Sequence, residues 1–159
     1  MKEIAMNLHA SGFVDLTSDD ISVTIEALDE ERIFAGLRCG RSPDRADDEH
    51  QQAYVDWIDG WLGRLSAMPP GLVCFSAYDM ERLRGVLFSM YMPRQTRKYR
   101  NAVMKDDIAL VPMARRLQHL ACLEDKMRNP SAAIGTLVCL DRHRRPAGSS
   151  AMSTGGYSA

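Results

Sequence analysis

The stretch from Asp48 to Met68 constrains the chain most: Tyr54, Ile58, Trp61, Leu62 and Leu65 recur at three- and four-residue spacing, with Gln52, Asp56, Asp59 and Gly63 on the opposite side. That spacing makes one apolar stripe on an α-helix, and a stripe carrying a Trp and a Tyr calls for a core to bury it. Trp57 lies beside the stripe, and Pro69-Pro70-Gly71 ends the helix because proline cannot continue the hydrogen-bond ladder. Gly60 and Gly63 each weaken a helix by about 1 kcal/mol relative to Ala, which predicts a close packing contact or a kink at that point.

The flanking segments supply what the stripe packs against. Leu16-Thr17-Ser18-Asp19-Asp20-Ile21 has the pattern of a helix start, with Thr17 as cap, Asp20 as its partner at the third helical position and Leu16 stapling onto Ile21. Ile21, Ile25, Leu28, Phe34 and Leu37 extend an apolar face, predicting a helix over 18–38 with a break near Asp29, followed by a loop over 38–47. Leu72 to Phe75 is a short apolar run between turn signals, the pattern of a strand. Ser76-Ala77-Tyr78-Asp79 then forms a capping box, Phe75 is placed to staple onto Met80, and Leu83, Val86, Leu87 and Met90 carry a helix to Met92, where Pro93 ends it.

Two further helical stretches follow, at about 95–110 and about 112–128, the second opened by Pro112 and closed by Asn129-Pro130. Ile134 to Leu140 and the segment around Ile4 to Val14 each have the pattern of an additional strand. A chain of 159 residues suits one core. The expected fold is therefore an α+β, helix-dominated single domain over residues 1–145, with about five helices and a minimal two- or three-stranded sheet. Residues 146–159, made only of Pro, Ala, Gly, Ser, Thr, Met and Tyr, are expected to form a disordered tail.

Charge is segregated along the chain in a way its net value of −1 conceals. Residues 1–93 carry 16 acidic and 8 basic side chains, whereas residues 94–145 carry 5 acidic and 12 basic ones. Such asymmetry points to nucleic acid, to a partner of complementary charge, or to two halves that neutralise each other. Arg94, Arg97, Lys98, Arg100 and Lys105 fall on one arc of a helix opposite Tyr99, Val103 and Leu110. They crowd the helix N-terminus, where the macrodipole disfavours cations, and Asp106 and Asp107 follow where cations would be favoured. A phosphate backbone or an acidic protein surface would supply the missing gain. Arg115 and Arg116 extend that surface, and Arg142-His143-Arg144-Arg145 could do so too. The expectation is a small non-enzymatic regulatory or accessory protein that contacts DNA or RNA through Arg94, Arg97, Lys98, Arg100, Lys105, Arg115 and Arg116.

The acidic half supports a different class of function. Between Asp15 and Asp59 stand thirteen acidic residues against four arginines. Asp19, Asp20, Glu26, Glu30, Asp56 and Asp59 could steer a basic partner, as an adaptor or inhibitor would. A methionine-rich face, with Met80, Met90, Met92, Met104, Met113 and Met127 in one third of the chain, offers the same class of protein another contact surface. A homodimer pairing acidic with basic faces twice fits the same composition.

Chemistry beyond charge is thin. No GxSxG, P-loop, GxGxxG or HExxH motif occurs, and adjacent acids such as Asp19-Asp20, Asp47-Asp48 and Asp106-Asp107 point to different helix faces, so no catalytic role or cofactor is expected. His119, Cys122, Cys139 and His143 have spacing that superficially suits zinc, but His119-Leu120-Ala121-Cys122 lies mid-helix without a knuckle glycine, so no metal is expected. Cys39, Cys74, Cys122 and Cys139 are scattered and predict reduced thiols, Cys74 and Cys139 as small core residues, in a reducing cytoplasm. No run of about 18 apolar residues or signal-peptide pattern is present, so no membrane association is expected.

Overall fold

In the computed structural model, which describes residues 12–41, 43–105 and 110–130, a strand β1 (Gly12–Leu16) leads into helix α1 (Ser18–Arg38). Helix α2 (Arg45–Ala67) returns alongside α1 and delivers the chain to strand β2 (Gly71–Phe75). The two strands pair antiparallel, Gly12 opposite Phe75 and Leu16 opposite Gly71, so the sheet ties together the two ends of a helical hairpin. A long rod follows: α3 (Ala77–Arg84), a π-helical segment (Gly85–Tyr91) and α4 (Met92–Met104) run without interruption. Helix α5 (Leu110–Arg128) packs back on α4 and reaches α1.

Local sequence explains the helix starts. Thr17 Oγ1 accepts from the Asp20 N–H and the Asp20 carboxylate accepts from the Thr17 N–H, a complete capping box. Asp44 caps α2 through the Ala46 N–H, which starts that helix at Arg45, three residues before the predicted boundary. Ser76 caps α3 through the Asp79 N–H, but the box is only half made, because the Asp79 carboxylate accepts instead from the Trp57 indole at 2.8 Å. Gly71 holds φ at 145°, a backbone conformation open to glycine, as the chain turns from Pro70 into β2.

The core forms where these elements meet. Leu28, Ile58, Leu83, Leu87, Leu120 and Leu123 are fully buried, and Trp61 packs on Phe75 with ring centroids 5.1 Å apart. The expected stripe of α2 is buried through Ile58, Trp61 and Leu65, with Val55 added. Together these elements form a helix-dominated α+β domain with a two-stranded sheet among the described residues.

Several expectations are corrected. Helix α1 has no break near Asp29. Its C-terminal half buries Glu31 and Ala35 and exposes Phe34 and Leu37, because partners for the carboxylate converge there from three directions. Pro93 does not end a helix: it sits in the first turn of α4, directly after the π-helical segment. That segment widens the turn, and the Met92 N–H reaches back to the Leu87 carbonyl. Leu83, Leu87, Tyr91 and Gln95 are all buried at four-residue spacing, which would drift by about 40° per step on an ordinary α-helix; the wider turns hold them on one face. Among the described residues Gly60 and Gly63 meet no packing contact, since a Cβ at either would find nothing within 4 Å. Cys74 is exposed because β2 turns Val73 and Phe75 inward and Leu72 and Cys74 away from the core. The strand proposed over 134–140, Cys139, the basic run at 142–145 and the tail over 146–159 lie outside the described residues.

Candidate functional site

Four carboxylates on α1 determine which of the basic side chains remain available. Asp20, almost fully buried, accepts from Lys126 Nζ at 2.6 Å, and His119 Nε2 lies 2.6 Å from its other oxygen. A carboxylate can only accept, so that ring nitrogen carries the hydrogen. Burial alone would push the Asp20 carboxyl up, but the hydrogen bonds from Lys126, the Thr17 N–H and His119 outweigh it and hold the group below the usual carboxylate value. Glu26 pairs with Arg116 at 2.7 Å and accepts from the Tyr91 hydroxyl at 3.1 Å. Glu30 and Glu31 are bridged by the two terminal nitrogens of Arg94, at 2.8 and 3.1 Å. Glu31 also accepts from Arg38 at 2.9 Å and from the Tyr54 hydroxyl at 3.3 Å. Every buried side-chain polar atom among the described residues has a partner.

The candidate residues therefore divide. Arg94 and Arg116 are engaged with the acids of α1. Arg97, Lys98, Arg100, Lys105 and Arg115 stand exposed with no ion pair among the described residues. On the acidic side, Asp20, Glu26 and Glu30 are turned to internal partners, Asp59 pairs with Arg32 at 2.8 Å and Asp56 accepts from Gln52, while Asp19 borders a small cleft between α1 and α5. Of the methionines, Met80 and Met127 are core, Met90, Met92 and Met113 are half-buried, and Met104 is exposed. His119 is committed to Asp20, Cys122 is exposed on the same helix, and Cys139 and His143 lie outside the described residues. No group of three or more His, Cys, Asp or Glu in metal-binding geometry occurs among the described residues. Nor, among them, is any helix long and apolar enough to cross a membrane.

The exposed cations of α4 do not stand alone. Ile33, Phe34 and Leu37 on α1 are 64%, 42% and 52% exposed, and with Met90 and Pro93 they floor a groove between α1 and the start of α4. Phe34 and Arg94 form a saddle across it, the guanidinium 4.5 Å from the ring centroid. On one side of the saddle lies a lobe of about 470 Å³ lined by Ile33, Arg97 and Lys98. On the other lies one of about 630 Å³ lined by Leu37, Arg38, Arg41 and Met90, with Arg97 reaching it too. The groove thus has an apolar floor and a cationic rim. One signal in the sequence could have located it: from Leu28, Ile33 and Leu37 lie about 140° and 180° around the helix, so they cannot share its buried face.

A second cluster escaped the sequence. Arg82 lies over Tyr78, Tyr54 and Trp57, at 4.5, 5.3 and 5.6 Å from their centroids, and clamps α2 to α3. Its aromatic faces are filled by the chain's own cation, so this cluster is structural. Comparison with protein-family models, with curated proteins and with solved structures finds no match to this chain.

Proposed function

We propose that the chain is a non-enzymatic accessory protein that binds an acidic partner protein on the face made by the C-terminal half of α1 and the start of α4. The observation that carries this reading is the exposure of Ile33, Phe34 and Leu37 beside Arg38, Arg41, Arg97 and Lys98. Contact surfaces between proteins are enriched in aromatic residues, Met and Arg, and a contiguous exposed apolar patch costs solubility unless something covers it. A partner that only supplied phosphates would gain nothing from Ile33 and Leu37. Nucleic-acid contact is the second reading, favoured by Arg97, Lys98, Arg100, Lys105 and Arg115, which are exposed and have no ion pair among the described residues.

The two separate in one titration. Labelled single- and double-stranded oligonucleotides, and a labelled peptide of Glu, Leu and Ala in scrambled order, are followed by fluorescence anisotropy across a salt series. The wild-type chain is compared with the Arg97→Glu, Lys98→Glu double variant. Peptide binding weakened about tenfold or more by the variant, with little affinity for the oligonucleotides, is the expected result. Oligonucleotide binding that falls steeply with salt, without peptide binding, would install the second reading in its place. Peptide affinity unchanged in the variant would overturn the assignment of this face.

A further inference from the structure

We infer that the groove between α1 and α4 accepts an acidic amphipathic helix, seated by two apolar side chains one turn apart; this rests on the acidic-partner reading above. Both walls are helices whose backbone groups are already bonded within themselves. An extended peptide laid there would find no strand edge to continue and would leave its own N–H and C=O groups without main-chain partners. A helix brings its backbone already satisfied and offers only side chains, which is what this groove can use.

The dimensions and chemistry of the groove agree with that occupant. Ile33 lies at one lobe and Leu37 at the other, one helical turn apart on α1, with the saddle of Phe34 and Arg94 between them. Residues i and i+4 on an α-helix are separated by about 6 Å along the axis, so one apolar side chain can enter each lobe on either side of Phe34. Both lobes carry cations: Arg38 and Arg41 line one, Lys98 lines the other, and Arg97 lines both. Carboxylates flanking the apolar stripe of the incoming helix would meet both. Charge complementarity also selects against a basic amphipathic helix, which would bring like charges to both lobes.

The test uses two labelled peptides of identical Glu, Leu and Ala composition, one ordered so that leucines recur at i, i+4 and i+7 with glutamates flanking them, the other scrambled. The ordered peptide should bind at least tenfold more tightly and gain helical circular dichroism on binding. The Ile33→Ser, Leu37→Ser variant, altered only at exposed positions, should erase that preference while leaving the weak, salt-dependent binding of the scrambled peptide. Equal affinity for the two peptides would overturn the helix inference and leave the acidic-partner reading standing. Binding of neither would overturn both. Concentration-dependent dimerisation that Leu37→Ser abolishes would overturn the inference in favour of a second copy as the occupant.

Discussion

Arg94, from α4, places one guanidinium nitrogen 3.1 Å from Glu31 of α1, a residue only 1% exposed, and its other terminal nitrogen 2.8 Å from Glu30. A carboxylate taken that far out of water is tolerable only when paired and hydrogen-bonded. The pair decides the packing of α1 against the rod: it draws Glu31 inward and leaves Phe34 under the guanidinium at the surface. One of the seven basic residues expected to contact nucleic acid is thereby engaged within the fold.

Arg94→Met should destabilise the fold by about 3 kcal/mol, because Glu31 keeps its charge and loses its closest cation from α4. The double variant Arg94→Met, Glu31→Leu should lose less than the sum of the two single losses. A double-mutant cycle from chemical denaturation should give a coupling of about 1 to 3 kcal/mol; additivity would mean that the pair contributes no interaction.

Acid should weaken the junction between α1 and α5. The Asp20 carboxyl is held below its ordinary value in the folded chain, where hydrogen bonds outweigh the cost of burial. A depressed carboxyl contributes stability that is present above its unfolded value and is lost as pH falls through the folded one, so the loss should develop below about pH 4. Asp20→Asn should be less stable than wild type at neutral pH by about 1 to 3 kcal/mol, and the two stability curves should converge in acid. Parallel curves down to the acid limit would remove Asp20 as the cause.

Alkali should act through two phenols, Tyr91 buried and Tyr54 half-buried. Burial and the Glu31 carboxylate push Tyr54 up to about 12, and burial, with Glu26 opposed by Arg116, does the same for Tyr91. A raised phenol contributes stability that is complete below the unfolded value of about 10 and lost as pH rises towards the folded value. Unfolding free energy should therefore fall between about pH 10 and about pH 12, in step with the phenolate absorbance of these two residues. Tyr54→Phe should flatten that decline; an unchanged slope would exclude its part in it.

Gly60→Ala and Gly63→Ala should each raise stability by about 1 kcal/mol, since both positions lie within α2 and no described residue stands within 4 Å of where the methyl would be. The midpoint of thermal unfolding reads the gain directly. A loss in either variant would indicate a contact made at that face by something outside the described residues.

What sequence alone determined is whatever neighbours along the chain decide. The Thr17–Asp20 box, the α2 stripe through Ile58, Trp61 and Leu65, and the stop at Pro69-Pro70-Gly71 depend on residues within a turn or two of each other, and they were legible as patterns. The excess of cations after residue 93 was equally legible, but its meaning was not. Arg94 and Arg116 became paired within the chain because α4 and α5 lie against the acids of α1, whereas Arg97, Lys98, Arg100, Lys105 and Arg115 have no ion pair among the described residues. That division depends on which helix faces meet across 63 or more residues of chain, and the same is true of the choice to bury Glu31 and expose Leu37. Charge can be counted in a sequence, but whether a charge is spent on the fold or left for a partner is decided by the distance to its opposite, and only the tertiary structure sets that distance.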